Sequence, residues 1–184
     1  KATGLFVQDG TGASAKRIDS TAQLIGGENA EGRSGDVLLQ NDKVRVIIQQ
    51  PGRTVGPALS GGNLLDADLV RPEGAPGRDA FGRMGLFYSL GRLSSVTDLE
   101  VLSDGSSGGP AIVAASGKDV PHDLLNLKLL LNNVAGLPVE PVVDPANPVN
   151  ARLTTYFVLS PGESRVRMLS AVCNDSDATL RLPL

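Results

Sequence analysis

The chain has 184 residues, a net charge of −3 and 41% hydrophobic residues, so it is long enough to bury a core and too hydrophobic for wholesale disorder. No basic stretch favours a nucleic-acid partner, and no run of about 18 apolar residues predicts a membrane span. One cysteine, Cys173, excludes an internal disulfide and a cysteine-rich metal site. Its apolar neighbours predict a buried, inert thiol.

The first predicted element is a β-hairpin. Two runs rich in Val, Leu and Ile, Val37–Gln40 and Val44–Gln49, flank Asn41-Asp42, two residues that tolerate the left-handed turn conformation. Alternation along the second run directs its even-numbered residues to the core and leaves a mixed face outward.

Two further hairpins are predicted downstream. One runs from Val96 to Ser116 around the flexible turn SDGSSGG, and the other from Thr154 to Asn174 around residues 160–163. The last hairpin is the clearest strand pair, because a set of residues follows the period of two, namely Tyr156, Val158, Val166, Met168, Ser170 and Val172.

The remaining segments are loops and one ambiguous stretch. Residues 123–136 are leucine-rich and fit a short helix or a buried strand, and the flanking hairpins favour the strand. Residues 53–57, 71–91 and 138–150 are rich in glycine, proline or arginine and predict long loops. The chain is therefore predicted to be an all-β antiparallel sandwich, residues 1–184 forming a single domain or part of one, with residues 1–34 as a separable strand and loop segment.

The stretch SGGNLLDADLVRP, residues 60–72, presents two glycines and two aspartates. It lacks the Lys-Ser/Thr of a phosphate-binding loop, so the glycines predict a tight turn that leads into a strand. Asp66 and Asp68 then lie on one face, where they could contact a ligand or a cation or form turn and strand-edge structure. Asp175 and Asp177 have the same spacing, but short polar side chains there favour bonds to their own turn.

A polar loop follows in the segment RPEGAPGRDAFGRMG. Arg78, Asp79, Phe81 and Arg83 are candidates for ligand binding, because loops on a rigid β scaffold carry many binding residues. Anchoring of the loop to the sheet explains the same residues equally well.

The only histidine is His122. A single histidine cannot supply a multi-histidine zinc site, and no GxSxG motif accompanies it. It is predicted to be a surface loop residue, with a binding role as the alternative. We therefore predict no catalytic residue, no metal site and no cofactor, and this chain alone is more consistent with a non-enzyme.

Four segments in order carry a resemblance: GDVLLQNDKVRVIIQ, SGGNLLDAD, LEVLSDGSSGGPAIVAASG and TTYFVLSPGESRVRMLSAVCNDSD. Together they span most of residues 35–177. They resemble the N-terminal β-sandwich region of bacterial proteins related to the carbaryl-hydrolase-like (CehA/McbA) metallohydrolases. More distantly they are similar to the supersandwich of galactose mutarotases and carbohydrate-active enzymes.

The resemblance implies a supersandwich-like fold but transfers no catalytic residue. In the metallohydrolases the metal ligands belong to a separate domain of the polymerase-and-histidinol-phosphatase type, and nothing here matches it. In the mutarotases an asparagine turn like that at residues 173–177 leads to a histidine-bearing segment, and this chain ends at Leu184 first.

The function predicted from these features is a non-catalytic scaffold or accessory domain of a larger exported protein, periplasmic or extracellular, that packs against another domain or chain. The start at Lys1 and the apolar end at residues 178–184 are typical of a trimmed fragment. The alternatives are a carbohydrate-binding module, and a part of a mutarotase-like or metal-dependent hydrolase whose catalytic residues lie outside this chain.

Overall fold

The computed structural model describes residues 12–55, 61–85, 87–89, 92–121 and 150–180. Over these ranges the chain is all-β, and one 3-10 turn at Thr21–Gln23 is the only helical element among them. The strands are β1 Ser14–Arg17, β2 Val37–Gln40, β3 Val44–Ile48, β4 Leu64–Leu69, β5 Phe87–Ser89, β6 Arg92–Ser103, β7 Ala111–Pro121, β8 Ala151–Leu159 and β9 Arg167–Asn174. The predicted fold class is confirmed.

The strands form two antiparallel sheets. The first has the order β1-β2-β3-β4 and the second the order β5-β6-β7-β8-β9. The three predicted hairpins are present as β2–β3, β6–β7 and β8–β9. The second hairpin is longer than its local pattern indicated, since β6 has 12 residues and β7 has 11.

A single apolar core lies between the sheets. The four-stranded sheet contributes Ala13, Ala15, Val37, Leu39, Val46, Ile48 and Leu64, and the five-stranded sheet contributes Val96, Leu99, Ala111, Val113, Ala115, Phe157 and Leu159. Because alternate residues of a strand face one side, each sheet supplies one face to this core. The arrangement is that of a β-sandwich.

One prediction about the β8–β9 hairpin is wrong, and it concerns Cys173. In β8 the residues facing the core are Phe157 and Leu159, and Met168 of β9 packs against the same core. Cys173 is exposed rather than buried, because β9 is the last strand of its sheet and Cys173 lies on the face turned away from the core.

The four-stranded sheet is also covered on its outer face. Ile18 and Ile25 pack there against Leu38 of β2 and Ile47 of β3 in a second buried cluster. We call residues 18–35 the covering segment. Its two ends are held together, since the Ile18 N–H donates to the Asp36 carbonyl oxygen and the Gly35 N–H to the Ile18 carbonyl oxygen, both at 2.8 Å. The outward face of β3, predicted to be mixed, is thus partly a core face.

Asn41 joins the turns of two hairpins. Its Oδ1 accepts hydrogen bonds from the N–H groups of Lys43 at 2.9 Å and Val44 at 3.0 Å, which shapes the β2–β3 turn. Its Nδ2 donates to the carbonyl oxygens of Ser160 at 2.9 Å and Glu163 at 2.7 Å in the β8–β9 turn. One side chain therefore links the two sheets at this end.

Candidate functional site

The two aspartates of β4 lie on the covered outer face of the four-stranded sheet. Asp66 is opposite Ile47 and Asp68 is opposite Arg45. Since Ile47 belongs to the outer cluster, both carboxylates point away from the core between the sheets. The prediction that they share one face is confirmed, and Gly61 and Gly62 precede them with φ of 88° and 69°, in the conformation of a tight turn.

Asp66 holds the covering segment onto the sheet. It is fully buried, and its carboxylate accepts hydrogen bonds from the N–H groups of Glu31 at 2.8 Å and Gly32 at 3.0 Å. Burial raises the pKa of Asp66, the charges of Asp79 and Asp36 raise it further, and the two N–H groups act in the opposite direction. A Cβ at Gly32 would lie 2.5 Å from Ile47 Cδ1 and 2.7 Å from Asp66 Oδ2, so a larger residue there would have to displace these two side chains.

Asp68 anchors the loop that follows β4. It accepts hydrogen bonds from Arg71 Nε at 2.9 Å and Nη2 at 2.6 Å, and from the Arg78 N–H at 2.9 Å. The hydrogen bonds from the Arg71 guanidinium are the main cause that lowers the pKa of Asp68 to about 2.

Acid is expected to weaken this anchor. The folded-state pKa of Asp68 lies below its ordinary value of 3.8, so its contribution to stability is present above pH 3.8 and is lost as the pH falls through 2. In Asp68→Asn this part of the pH dependence should be absent. On acidification the free energy of unfolding should therefore fall more in the wild type than in the variant, by on the order of 1 kcal/mol after solvent screening. Urea midpoints between pH 2 and 5 measure it, with exposed Asp42→Asn as the control. Parallel pH profiles for wild type and Asp68→Asn would contradict the assignment.

The Asp79 carboxylate covers part of the edge of β4 that does not pair with β3. It is 1% exposed, and its Oδ1 accepts hydrogen bonds from the N–H groups of Phe81 at 2.8 Å and Ala67 at 3.3 Å. Its Oδ2 has no hydrogen-bond partner within the described part of the chain. Further along the same edge, Leu64 and Met84 exchange two backbone hydrogen bonds of 3.0 and 2.9 Å. Residues 79–84 therefore shield the edge of β4.

The other predicted ligand-binding residues are spread over several roles. The Arg83 guanidinium donates to the Glu31 carboxylate, with Nε at 3.0 Å. Phe81 packs against the core between the sheets, and Arg78 is an exposed residue whose N–H is held by Asp68. His122, like residues 123–149, lies outside the described residues. Loops are therefore held against the sheet by the side chains of Asp66, Asp68, Asp79 and Arg83.

The sequence reasoning missed Asp36 and Arg53. Asp36 is fully buried, and its Oδ2 accepts from Arg53 Nη2 and from the Arg33 N–H, both at 2.8 Å. Its Oδ1 accepts from the Gln50 N–H at 2.9 Å. Asp36 lies directly before an apolar strand in the sequence. This position could have predicted a buried carboxylate, and a buried carboxylate needs hydrogen-bond partners.

An apolar groove opens along the side of the sandwich where β4 and the start of β9 lie. It has a volume of about 430 Å³, and we call it the apolar groove. Its lining is Val44, Arg45, Val46, Leu64, Ala67, Asp68, Leu69, Phe81, Met84, Ser164, Arg165, Val166 and Met168. Leu69 and Met84 of this lining are exposed.

No family model, curated protein or solved structure matches this chain.

A polar groove of about 480 Å³ lies on the other side of Asp68. Gln40, Arg45, Arg71 and Glu73 are among its lining residues, and none of the described lining residues is aromatic. A carbohydrate site usually needs a ring for stacking, and the predicted ring, Phe81, lines the apolar groove instead. Carbohydrate binding stays a prediction.

Two general features bear on the kind of site present. Among the residues described, no three His, Cys, Asp or Glu side chains are grouped so that they could hold a metal ion. In the same part of the chain, no helix is long and apolar enough to cross a membrane.

Proposed function

We propose that this chain is a non-catalytic β-sandwich scaffold of a larger exported bacterial protein, and that the apolar groove packs against a neighbouring domain of that protein. The apolar groove carries the proposal. Apolar side chains exposed together on one side of a protein mark an interaction surface more often than scattered ones do, and the exposed Leu69 and Met84 belong to a concave apolar lining.

The charges around the groove support an apolar partner. Three charged side chains belong to the lining. Asp68 is bonded to Arg71, and Arg45 donates to Gln40 Oε1 at 3.1 Å and to the Gln23 carbonyl oxygen at 2.9 Å, so a partner need not supply charges for these two. The third, Arg165, is 73% exposed and lies 3.9 Å from Glu163. The groove therefore presents mainly hydrocarbon for burial.

Polar substitution of the groove rim tests the proposal. The folded wild-type chain should bind the hydrophobic dye 8-anilinonaphthalene-1-sulfonate, and Leu69→Lys/Met84→Lys should lose most of the dye fluorescence. The free energy of unfolding should change by less than about 1 kcal/mol, because both side chains are exposed. Dye titration and urea unfolding measure the two effects.

The matched control is Leu102→Lys, which replaces a leucine that is 50% exposed on β6 and outside the groove. This variant should keep the dye signal. Equal dye binding by all three proteins, or none by the wild type, would contradict an accessible apolar groove.

A further inference from the structure

Three buried aspartates lie near one another beside the covering segment. The exposed fractions are 0% for Asp36 and Asp66 and 1% for Asp79, and the charges of Asp36 and Asp79 both act on Asp66. Asp36 forms a salt bridge with Arg53 at 2.8 Å. Within the described ranges, the side chains of Asp66 and Asp79 are bonded to backbone N–H groups and to no cation. Two buried carboxylates are therefore without a paired positive charge, which is costly for the folded chain.

We call Asp66 and Asp79 the acidic pair, and the charged groups on the elements packed around it are engaged elsewhere or exposed. Glu31 pairs with Arg83, Asp68 pairs with Arg71, and the Arg45 guanidinium has its own hydrogen bonds. The exposed charged side chains on these elements are Asp19, Glu28, Arg33, Glu73 and Arg78. The acidic pair is therefore expected to be neutralised by a proton and not by a side chain.

One oxygen of the acidic pair can accept a proton without the loss of a hydrogen bond. Asp79 Oδ2 is buried and has no hydrogen-bond partner within the described part of the chain, whereas Oδ1 accepts from the N–H groups of Ala67 and Phe81. Each Asp66 oxygen already accepts one backbone N–H. A proton on Asp79 Oδ2 would leave all of these bonds in place.

The acidic pair is bonded to the middle of the covering segment. The Asp66 carboxylate accepts its two N–H groups from residues 31–32. The Asp79 N–H donates to the Gly26 carbonyl oxygen at 3.0 Å, and the Asn29 N–H donates to the Asp79 carbonyl oxygen at 3.3 Å. Because both aspartates are bonded to this one stretch, the charge of the acidic pair acts on its attachment to the sheet.

We propose that the acidic pair is a pH-sensitive anchor, which binds one proton in mildly acidic solution and then holds residues 26–32 more firmly against the sheet than it does at neutral pH. The proposal goes beyond the scaffold function and does not depend on the apolar groove.

Burial gives the direction of the effect. Desolvation, with the charges of Asp79 and Asp36, raises the pKa of Asp66 above its ordinary value of 3.8, although the two N–H groups act against this. The stabilisation by the proton is therefore fully present below pH 3.8 and is lost as the pH rises through the raised, folded-state pKa.

Hydrogen exchange of the Glu31 and Gly32 amides measures the attachment, because both N–H groups donate to Asp66. The matched variant is Asp79→Asn, which keeps an oxygen for the Ala67 and Phe81 N–H groups and replaces the other oxygen with a neutral amide. The quantity compared is the opening equilibrium constant, corrected for the intrinsic pH dependence of exchange.

The ratio of the opening constant in the wild type to that in Asp79→Asn should be about tenfold higher at about pH 7 than at about pH 4.5, the change that one pKa unit produces. Asp42→Asn, which changes an exposed aspartate, should follow the wild type at both pH values. An equal ratio at the two pH values would overturn the proposal.

The carboxyl carbon resonance of Asp66 measures proton binding without reference to stability. In the wild type its titration midpoint should lie above pH 3.8, and in Asp79→Asn it should move down, because one of the charges that raise the pKa is removed. A midpoint at or below 3.8 in the wild type, or the same midpoint in the variant, would show that the two carboxylates do not bind a proton as a pair.

Discussion

Replacing Asp36 with alanine is expected to destabilise the chain by about 3–5 kcal/mol, the usual cost of removing one partner from a buried ion pair. Asp36 is fully buried and accepts from the Arg53 guanidinium and from the N–H groups of Arg33 and Gln50. The alanine variant leaves these three donors without their acceptor next to the start of β2. Urea unfolding at neutral pH measures the loss.

The matched control for Asp36 is Asp175→Ala, which breaks another Asp–Arg pair at the surface. Asp175 lies 3.4 Å from Arg152 and both side chains are exposed, so the loss there should be about 1 kcal/mol or less. If the two variants are destabilised equally, Asp36 is not the buried anchor described above.

Replacing Phe157 with alanine is expected to cost about 3–5 kcal/mol. Its ring is 0% exposed and lies in the core that both sheets share, so its removal leaves a cavity between them. Tyr156→Ala is the matched control, because this neighbouring ring lies on the other face of β8 and is half-buried. The free energy of unfolding should fall less than half as much in Tyr156→Ala as in Phe157→Ala.

The comparison of these two aromatic residues tests the orientation of β8 directly. Alternation in the sequence groups Tyr156 with Val158 on one face of the strand, and the structure directs the other face, with Phe157, to the core. A larger loss for Tyr156→Ala than for Phe157→Ala in urea unfolding would mean that β8 presents its other face to the four-stranded sheet.

The distribution of charged residues is consistent with a scaffold. Asp36, Asp66 and Asp68 accept hydrogen bonds from the backbone or from arginines, and these bonds hold residues 30–36 and 71–78 against the four-stranded sheet. Side chains with these bonds stabilise the loops. Among the described residues, the two grooves remain as concave surfaces, and the apolar groove is the one proposed for a partner.

The sequence by itself determined the local elements. The three hairpins follow from turn residues that lie beside alternating apolar runs, and the shared face of Asp66 and Asp68 follows from the two-residue period of a strand. These features depend on residues within a few positions of one another, so no knowledge of the rest of the fold was needed.

Tertiary structure decided the roles of the candidate site residues. Asp66 receives its hydrogen bonds from residues 31 and 32, and Arg83 pairs with Glu31 from 52 positions away, so no local pattern could separate binding from anchoring. The run from Tyr156 to Leu159 is apolar on both faces, and only the opposing sheet selects which face is the core. Sheet order alone places Cys173 on a terminal strand, and this position leaves its thiol exposed.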